Sequence, residues 1–228
     1  MEAHLASLPN GGQSQLGSKW AAGDIMYKDL NGDGKISSGD GTLNDLGDLK
    51  VVANTQLRFK YGLTLDASWK GFDFSAFFQG VGKRDVVVGG PYFWGANGQG
   101  MWQAAAFKDH MDYFRPEDTE SVFGPNVDAY YPRVIFGGGS SEGGKNTLTQ
   151  SRYVQNGAYI RLKNLQLGYT LPSTITKKFA VNSLRVYVSG DNLWTGTKMR
   201  VFDPEVLGST GDAGKAYPLA RVWSVGLN

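Results

Sequence analysis

The chain has 228 residues, a formal net charge of +2 and no cysteine. The near balance of charges points to neither nucleic acid nor a strongly acidic partner, and the absence of cysteine excludes disulfides and thiolate chemistry. No apolar run approaches the ~18 residues that a transmembrane helix needs. Glycine (32), Phe (12), Tyr (11) and Trp (6) are abundant. This composition suits long strands, aromatic girdles and broad polar loops.

Residues 1–56 are polar, rich in glycine and without periodicity, and we predict that they form a long loop. Residues 1–20 contain neither a basic region nor an apolar run of the kind found in signal peptides. If the protein is exported, we expect its export signal to lie on sequence outside this chain.

The segment 29–40 within this loop matches the ligand spacing of a calcium-binding loop. Side-chain oxygens stand at the first, third and fifth positions, glycine at the sixth, a backbone carbonyl at the seventh and an acid at the twelfth. The residues that would hold the ion are Asp29, Asn31, Asp33, Lys35 (through its carbonyl) and Asp40. The alternative is an Asx-rich turn that keeps the same shape without a metal.

Residues 57–82 alternate strictly between apolar and polar side chains over most of their length, which predicts two long strands joined by a tight turn at Lys70-Gly71. A strand spanning 57–69, tilted by roughly 45°, rises about 30 Å and can cross the ~25 Å apolar band of an outer membrane. We therefore predict a hairpin of a membrane β-barrel. The odd-numbered residues from Leu57 to Trp69 would face lipid, and the even-numbered residues from Arg58 to Ser68 would face the lumen.

Residues 83–156 read as a second long loop, in which the segment 101–114 could form a short helix. Loop aromatic residues are candidates for substrate contact, because aromatic faces stack on sugar rings and pack against peptides. The alternative is that they pack the loop against itself. The candidates are Phe93, Trp94, Trp102, Tyr113, Tyr130 and Tyr131.

Catalysis finds little support in the sequence. Asp109-His110 resembles part of a catalytic dyad, but no serine lies in a recognisable nucleophile context, and we expect His110 to be a solvated loop residue. We therefore predict that the protein is not an enzyme.

Three more strands are predicted, at 157–171, 182–194 and 218–228, with another loop at 195–217. The apolar positions of the first of these strands change parity near Lys163-Asn164, which a β-bulge would explain. Long connections alternate with short ones, as in outer-membrane barrels with long outer loops and short periplasmic turns. Five strands are too few to close a barrel, because the smallest have eight. The chain should therefore belong to a larger barrel.

Several motifs, in this order, resemble the C-terminal portion of SusC/RagA-type TonB-dependent transporters. They are GDIMYKDLNGDGKI (23–36), YGLTLDASWKGFDFSAFFQGVGKRD (61–85), YIRLKNLQLGYTLP (159–172), SLRVYVSGDNLW (183–194) and FDPEV (202–206). The resemblance implies a 22-stranded barrel with an N-terminal plug in the outer membrane of a Gram-negative bacterium. It also implies import of glycans or peptides, a SusD-like surface lipoprotein as partner, and energy supplied through TonB.

The predicted fold is thus all-β, a C-terminal segment of about five long antiparallel strands (57–228) within a large transmembrane β-barrel. Residues 1–56, 83–156 and 195–217 would be its extracellular loops. One alternative is a secreted β-sandwich carbohydrate-binding module with a structural calcium loop. Another is a separate structural chain that completes a split barrel.

Overall fold

The structure is a computed structural model that describes residues 2–8, 12–95, 106–135, 144–207 and 217–228. The chain divides into two compact units. The loop unit consists of Met1–Ala53, Val88–Tyr153 and Ala213–Lys215, and the sheet unit of Asn54–Val87, Val154–Asp212 and Ala216–Asn228. Among the described residues, no helix is both long and apolar enough to span a bilayer.

The loop unit contains only short helical segments in its described part. They are the α-helices α1 (Glu2–Ala6) and α2 (Pro91–Trp94), and the 3₁₀ turns Ser14–Leu16, Lys108–Met111 and Ser151–Tyr153. The helix predicted over 101–114 is wrong for its described part, where only the 3₁₀ turn forms. Residues 101–105 lie outside the described residues.

The described part of the sheet unit contains seven strands. They are β1 (Arg58–Trp69), β2 (Phe72–Lys83), β3 (Asp85–Val87), β4 (Val154–Asn156), β5 (Tyr159–Thr170), β6 (Arg185–Thr197) and β7 (Val222–Leu227). Five of them form one antiparallel sheet in the order β1-β2-β5-β6-β7, close to the predicted positions. The short pair β3-β4 forms a separate sheet that the sequence did not predict.

Two kinds of short connection join the strands at one end of the sheet. Lys70 and Gly71 link β1 to β2 with φ angles of 47° and 87°, the left-handed values of a two-residue hairpin turn. The helix α3 (Ser173–Thr176) and the 3₁₀ turn Lys177–Phe179 lie between β5 and β6. The long connections of the chain leave from the other end of the strands.

The predicted β-bulge is confirmed. The register between β2 and β5 shifts after Phe77, and the register between β5 and β6 shifts between Leu162 and Asn164. Lys163 is therefore left without a partner in either ladder. This extra residue restores the parity of β5, so that apolar side chains on both sides of the bulge share a face.

Register places a continuous apolar surface on one face of the sheet, because directly opposed residues point to the same side. Leu65 lies opposite Ala76, which lies opposite Leu165. The apolar face comprises Tyr61, Leu63, Leu65, Trp69, Phe72, Phe74, Phe78, Ile160, Leu162, Leu165, Leu167, Tyr169, Val186, Val188, Trp194, Trp223, Val225 and Leu227. Much of it is open: the exposed fractions of Leu63, Leu167 and Trp223 are 52, 53 and 66%.

Gly80 makes room for an aromatic ring on this face. A Cβ at this position would lie 2.4 Å from the hydroxyl of Tyr61 and 2.4 Å from the carbonyl oxygen of Tyr159. Tyr61 uses the space to donate a hydrogen bond of 3.1 Å to that same carbonyl. The glycine therefore lets a side chain of β1 reach across β2 to β5.

Replacing Gly80 with alanine should destabilise the sheet by roughly 1–3 kcal/mol, because the backbone of β5 cannot easily move away. The measurement is the free energy of unfolding in urea for the refolded protein. Gly82→Ala is the control, since its nearest contact would be 3.2 Å from Phe59 Cβ. Equal effects of the two substitutions would contradict this packing.

Candidate functional site

The polar face of the sheet carries side-chain pairs that join distant segments. Arg185 donates through Nε to Asp73 Oδ1 at 2.9 Å and makes a second contact through Nη2 to Asp73 Oδ2. This pair spans Gly168, whose missing side chain leaves the space open. Farther along the same face, Asn164 Nδ2 donates to Asp191 Oδ1 at 2.8 Å.

Arg161 is the centre of a charged cluster on this face. Its side chain is 3% exposed, and its guanidinium donates to both carboxylate oxygens of Asp203, at 2.6 and 2.7 Å, and to Thr195 Oγ1 at 2.8 Å. Glu205 completes the cluster, at 3.1 Å from Arg161 Nη1 and 2.8 Å from Lys163 Nζ. Burial is the largest single influence on the pKa of Asp203 and raises it, but the hydrogen bonds and charge of Arg161, together with the backbone N–H groups of Glu205 and Leu219, hold the pKa below its ordinary value.

This cluster ties the loop that follows β6 to the sheet. Asp203 and Glu205 belong to the FDPEV motif, whereas Arg161 and Lys163 belong to YIRLKNLQLGYTLP. These two motifs, each of which resembles the same family, are therefore in direct contact. The sequence showed both motifs but no signal that they pair.

A cavity of about 920 Å³ opens beside this cluster within the sheet unit. Its floor is the polar face of β1, β2 and β5, including Lys60, Gln79 and Phe77. Its walls come from the β3 segment and from the loop around Glu205 and Leu207. A concave site with apolar surface and a few polar groups is the usual form of a ligand pocket.

The loop aromatic residues gather in the interior of the loop unit. Phe93 is completely buried, and its ring centroid lies 5.3 Å from that of Tyr131 and 5.6 Å from that of Tyr153. Trp94 packs edge-on against Tyr153 at 4.7 Å, and Tyr130 lies 5.4 Å from the same ring. Burial raises the pKa of Tyr153 to about 12. Tyr153 is a central member that the sequence analysis missed.

These rings pack against each other, so their observed role is that of a core. Tyr130 keeps some exposure at the edge of the cluster. Tyr113 pairs with Tyr131 in a β-bridge and places its ring 4.7 Å from the guanidinium of Arg115. Trp102 lies outside the described residues. Substrate contact by these six residues stays a prediction.

His110 is part of the same core rather than a solvated residue, so that expectation is wrong. Its Nδ1 accepts a hydrogen bond from the backbone N–H of Phe107 at 3.1 Å, and its Nε2 lies 3.0 Å from the carbonyl oxygen of Phe93. A neutral ring protonated on Nε2 satisfies both contacts. The side chain therefore joins two loop segments.

A second hub of the loop unit is the buried carboxylate of Asp24. It accepts hydrogen bonds from Arg133 at 2.7 and 3.0 Å and from Asn146 at 2.8 Å, and Lys145 Nζ lies 3.1 Å away. Burial raises its pKa, but these donors and the backbone N–H of Ala21 together hold it below the ordinary value. The hub joins segments more than a hundred residues apart in sequence.

The predicted calcium loop adopts a conformation in which its oxygens bind backbone N–H groups. Asp29 accepts from Gly32 and Gly34 at 2.6 and 2.9 Å, which lowers its pKa, the contact with Gly34 contributing most. Asn31 and Asp33 each accept from the N–H two residues later, at 3.0 Å.

The closing position of the calcium pattern is bound to a neighbouring residue. Asp40 accepts from the side chain and backbone of Thr42, at 2.6 and 2.8 Å. Asp48, which the pattern missed, binds the N–H groups of Leu30 and Ser37 at 2.6 and 2.8 Å. Among the described residues, no three His, Asp or Glu side chains are grouped to hold a metal. The calcium site therefore stays a prediction.

Removing the carboxylate of Asp24 should destabilise the loop unit by about 3–5 kcal/mol, because Arg133 and Lys145 would lose their buried counter-ion. Native-state hydrogen exchange of Asp24→Ala should show loss of protection in segments 20–27 and 144–150. Asp128→Ala is the matched control, since this exposed carboxylate forms no bond with the described residues and should cost less than about 0.5 kcal/mol. Similar exchange in the two variants would refute the role of the hub.

Comparison with curated proteins finds relatives along nearly the whole chain. TonB-dependent receptor P3 of Formosa agariphila is 29% identical over 95% of the chain, and TonB-dependent receptor P26 of the same organism is 31% identical over 94%. The chain spans about a fifth of the length of these relatives. No protein-family model matches the chain.

Comparison with solved structures gives the same result. The RagAB peptide importer in its closed-closed state is 28% identical, with a TM-score of 0.54 over 74% of this chain and 16% of that chain. Its open-open state aligns with 92% of this chain and 21% of that chain, with a TM-score of 0.59 at 24% identity, and supports the fold. The resemblance seen in the motifs is therefore confirmed: the chain is homologous to part of TonB-dependent receptors, and its fold matches part of the RagAB transporters, which are of the SusC/RagA type.

Proposed function

We propose that this chain supplies barrel wall and outer loops to an outer-membrane TonB-dependent transporter that actively imports oligosaccharides or peptides. The observation that carries the proposal is the sheet, which is apolar over one face and mainly polar over the other. Its homology to TonB-dependent receptors supports the same assignment. The relatives are named as receptors and transporters, which fits a protein without enzymatic activity.

The dimensions of the strands suit a bilayer. β1, β2 and β5 each contain 12 residues. At about 3.4 Å per residue and a tilt of about 45°, such strands rise nearly 30 Å, somewhat more than the ~25 Å apolar band. The apolar face would contact lipid, and the face with Arg161, Asp73 and Arg185 would line the lumen.

The outer edges of β1 and β7 require further strands. In the part of the chain that the structure describes, neither edge pairs with another strand. In lipid, each unsatisfied backbone group costs several kcal/mol. We therefore propose that the remainder of the barrel, and the plug within it, come from the same or another polypeptide.

The connections at the other end of the strands would be extracellular. They are the predicted loops 1–56, 83–156 and 195–217, and the Lys70-Gly71 turn would be periplasmic. A SusD-like surface lipoprotein and TonB are the proposed partners, in the outer membrane of a Gram-negative bacterium. The importers that this chain resembles are named as peptide importers, which supports peptides as one of the two substrate classes.

The alternative of a secreted β-sandwich is less consistent with the sheet unit. A sandwich buries the apolar face of one sheet against a second sheet. Among the described residues, the second sheet has only two strands of three residues each. Such a pair is too small to cover the apolar face of a five-stranded sheet.

Placing a charge on the apolar face should block membrane assembly. Leu167→Arg should cost about 2–4 kcal/mol near the centre of the bilayer, whereas Gln166→Arg on the opposite face should cost little. Gln166 lies between Ser75 and Ser189, which leave space for a longer side chain. The measurement is the amount of heat-modifiable, folded protein in outer-membrane fractions. A soluble protein, or equal loss in both variants, would contradict the proposal.

We also propose that the loop 29–40 binds calcium in the assembled protein, with its carboxylates turned from their backbone partners toward the ion. Isothermal titration of the folded protein should then show heat with Ca²⁺, and Asp33→Asn should weaken it. Asp128→Asn, at a carboxylate outside the loop, is the control. Absence of heat in the wild-type protein would leave the Asx turn as the role of this loop.

A further inference from the structure

We propose that the cavity on the polar face of the sheet is a subsite for an acidic peptide segment. Lys60 would bind the carboxylate, and an aliphatic side chain next to it would lie on Phe77 and Val81. The inference rests on the proposed transport function, because it assumes that solute passes this face. It adds a chemical class of ligand and the residues that would select it.

Register brings the floor of the cavity together. Lys60 lies directly opposite Val81, and Gly62 lies directly opposite Gln79. Opposed residues of an antiparallel pair share a face, so these side chains point to the same side as Phe77, two positions before Gln79. All five residues line the cavity of about 920 Å³. The floor is thus built on rigid strands rather than on a loop.

The cavity offers unused hydrogen-bond donors. Within the described part of the chain, neither the Lys60 ammonium nor the Gln79 amide takes part in a hydrogen bond or ion pair. The ammonium is a donor only, whereas the amide offers two N–H donors and one carbonyl acceptor. A ligand with acceptor oxygens therefore complements them.

The acidic groups at the cavity already have a cation or a backbone N–H group as partner. Glu205 is paired with Lys163 at 2.8 Å and with Arg161 at 3.1 Å. Asp85 accepts a hydrogen bond from the backbone N–H of Asn54 at 2.9 Å. The unpaired charge at the cavity is therefore the positive charge of Lys60, and a carboxylate of the ligand would pair with it best.

The apolar lining indicates what the carboxylate is attached to. Phe77 is an apolar residue on the mainly polar face, and its ring lies over Gly62, where a Cβ would be 3.2 Å away. Val81 and Leu207 add aliphatic surface, and the carbonyl of Leu207 is held by Arg84 Nη1 at 2.9 Å. An aliphatic peptide side chain fills such a lining better than a sugar ring, whose hydroxyl groups would be left without partners.

The test measures peptide affinity of the full-length protein in detergent. The probes are a fluorescently labelled pentapeptide of alternating Leu and Glu, the same peptide with Gln in place of Glu, and trigalacturonate. Lys60→Met should raise the Kd of the acidic peptide by about tenfold or more, because it removes a charge-assisted contact. Lys60→Arg should retain most of the affinity. Lys70→Met, which removes the same charge at the far turn, should change it less than about twofold.

The contact between Lys60 and the Glu carboxylates of the peptide is tested by changing both partners. The Gln peptide should bind weakly to the wild-type protein and should not lose further affinity in Lys60→Met. Equal affinities of the two peptides, or equal effects of Lys60→Met and Lys70→Met, would overturn the proposal. Binding of trigalacturonate alone in a Lys60-dependent manner would overturn the assignment to peptides.

Failure of this inference is distinguishable from failure of the proposed function. One outcome is that Leu167→Arg and Gln166→Arg behave as predicted while the affinity of no probe changes in Lys60→Met. The chain is then part of the barrel wall, and the proposed subsite is wrong. If the protein does not enter the outer membrane, the proposed function itself is wrong.

Discussion

Antiparallel pairing holds the five long strands together. The register of this pairing determines which face of the sheet each side chain occupies. A slip by one residue would move every side chain to the opposite face. The bulge at Lys163 protects this register, because it absorbs the change of parity within β5. As a result, apolar residues from five strands form one surface and polar residues form the other.

On the polar surface, the register brings together ion pairs between residues that are distant in sequence. Asp73 and Arg185 are 112 positions apart in sequence, yet they meet across Gly168. Arg161 and Asp203 fasten the loop after β6 to the same surface. Such pairs are costly to break when partly buried, because the remaining charge would have no counter-ion. Among the described residues, Lys60 and Gln79 take no part in such pairs and keep donors free for a ligand in the cavity.

Much of the sheet could be predicted from the sequence, because strand alternation and turn residues are local signals. The turn at Lys70-Gly71 and the bulge near Lys163 both follow from patterns within a few residues. The loop unit could not be predicted in this way. Its core combines Phe93 with Tyr153, and its buried Lys145 reaches Asp24, through contacts that no local pattern encodes. An aromatic residue in a loop looks the same in sequence whether it binds a ligand or fills a core.

We propose that the apolar face of the sheet contacts lipid. The chain has no cysteine, so single spin-labelled cysteines can be placed at successive positions from Leu165 to Thr170 in the membrane-assembled protein. Collision with oxygen, which partitions into lipid, should alternate with collision with a water-soluble reagent at a period of two residues. The odd-numbered positions should favour oxygen. Uniform access to water along the strand would contradict the account.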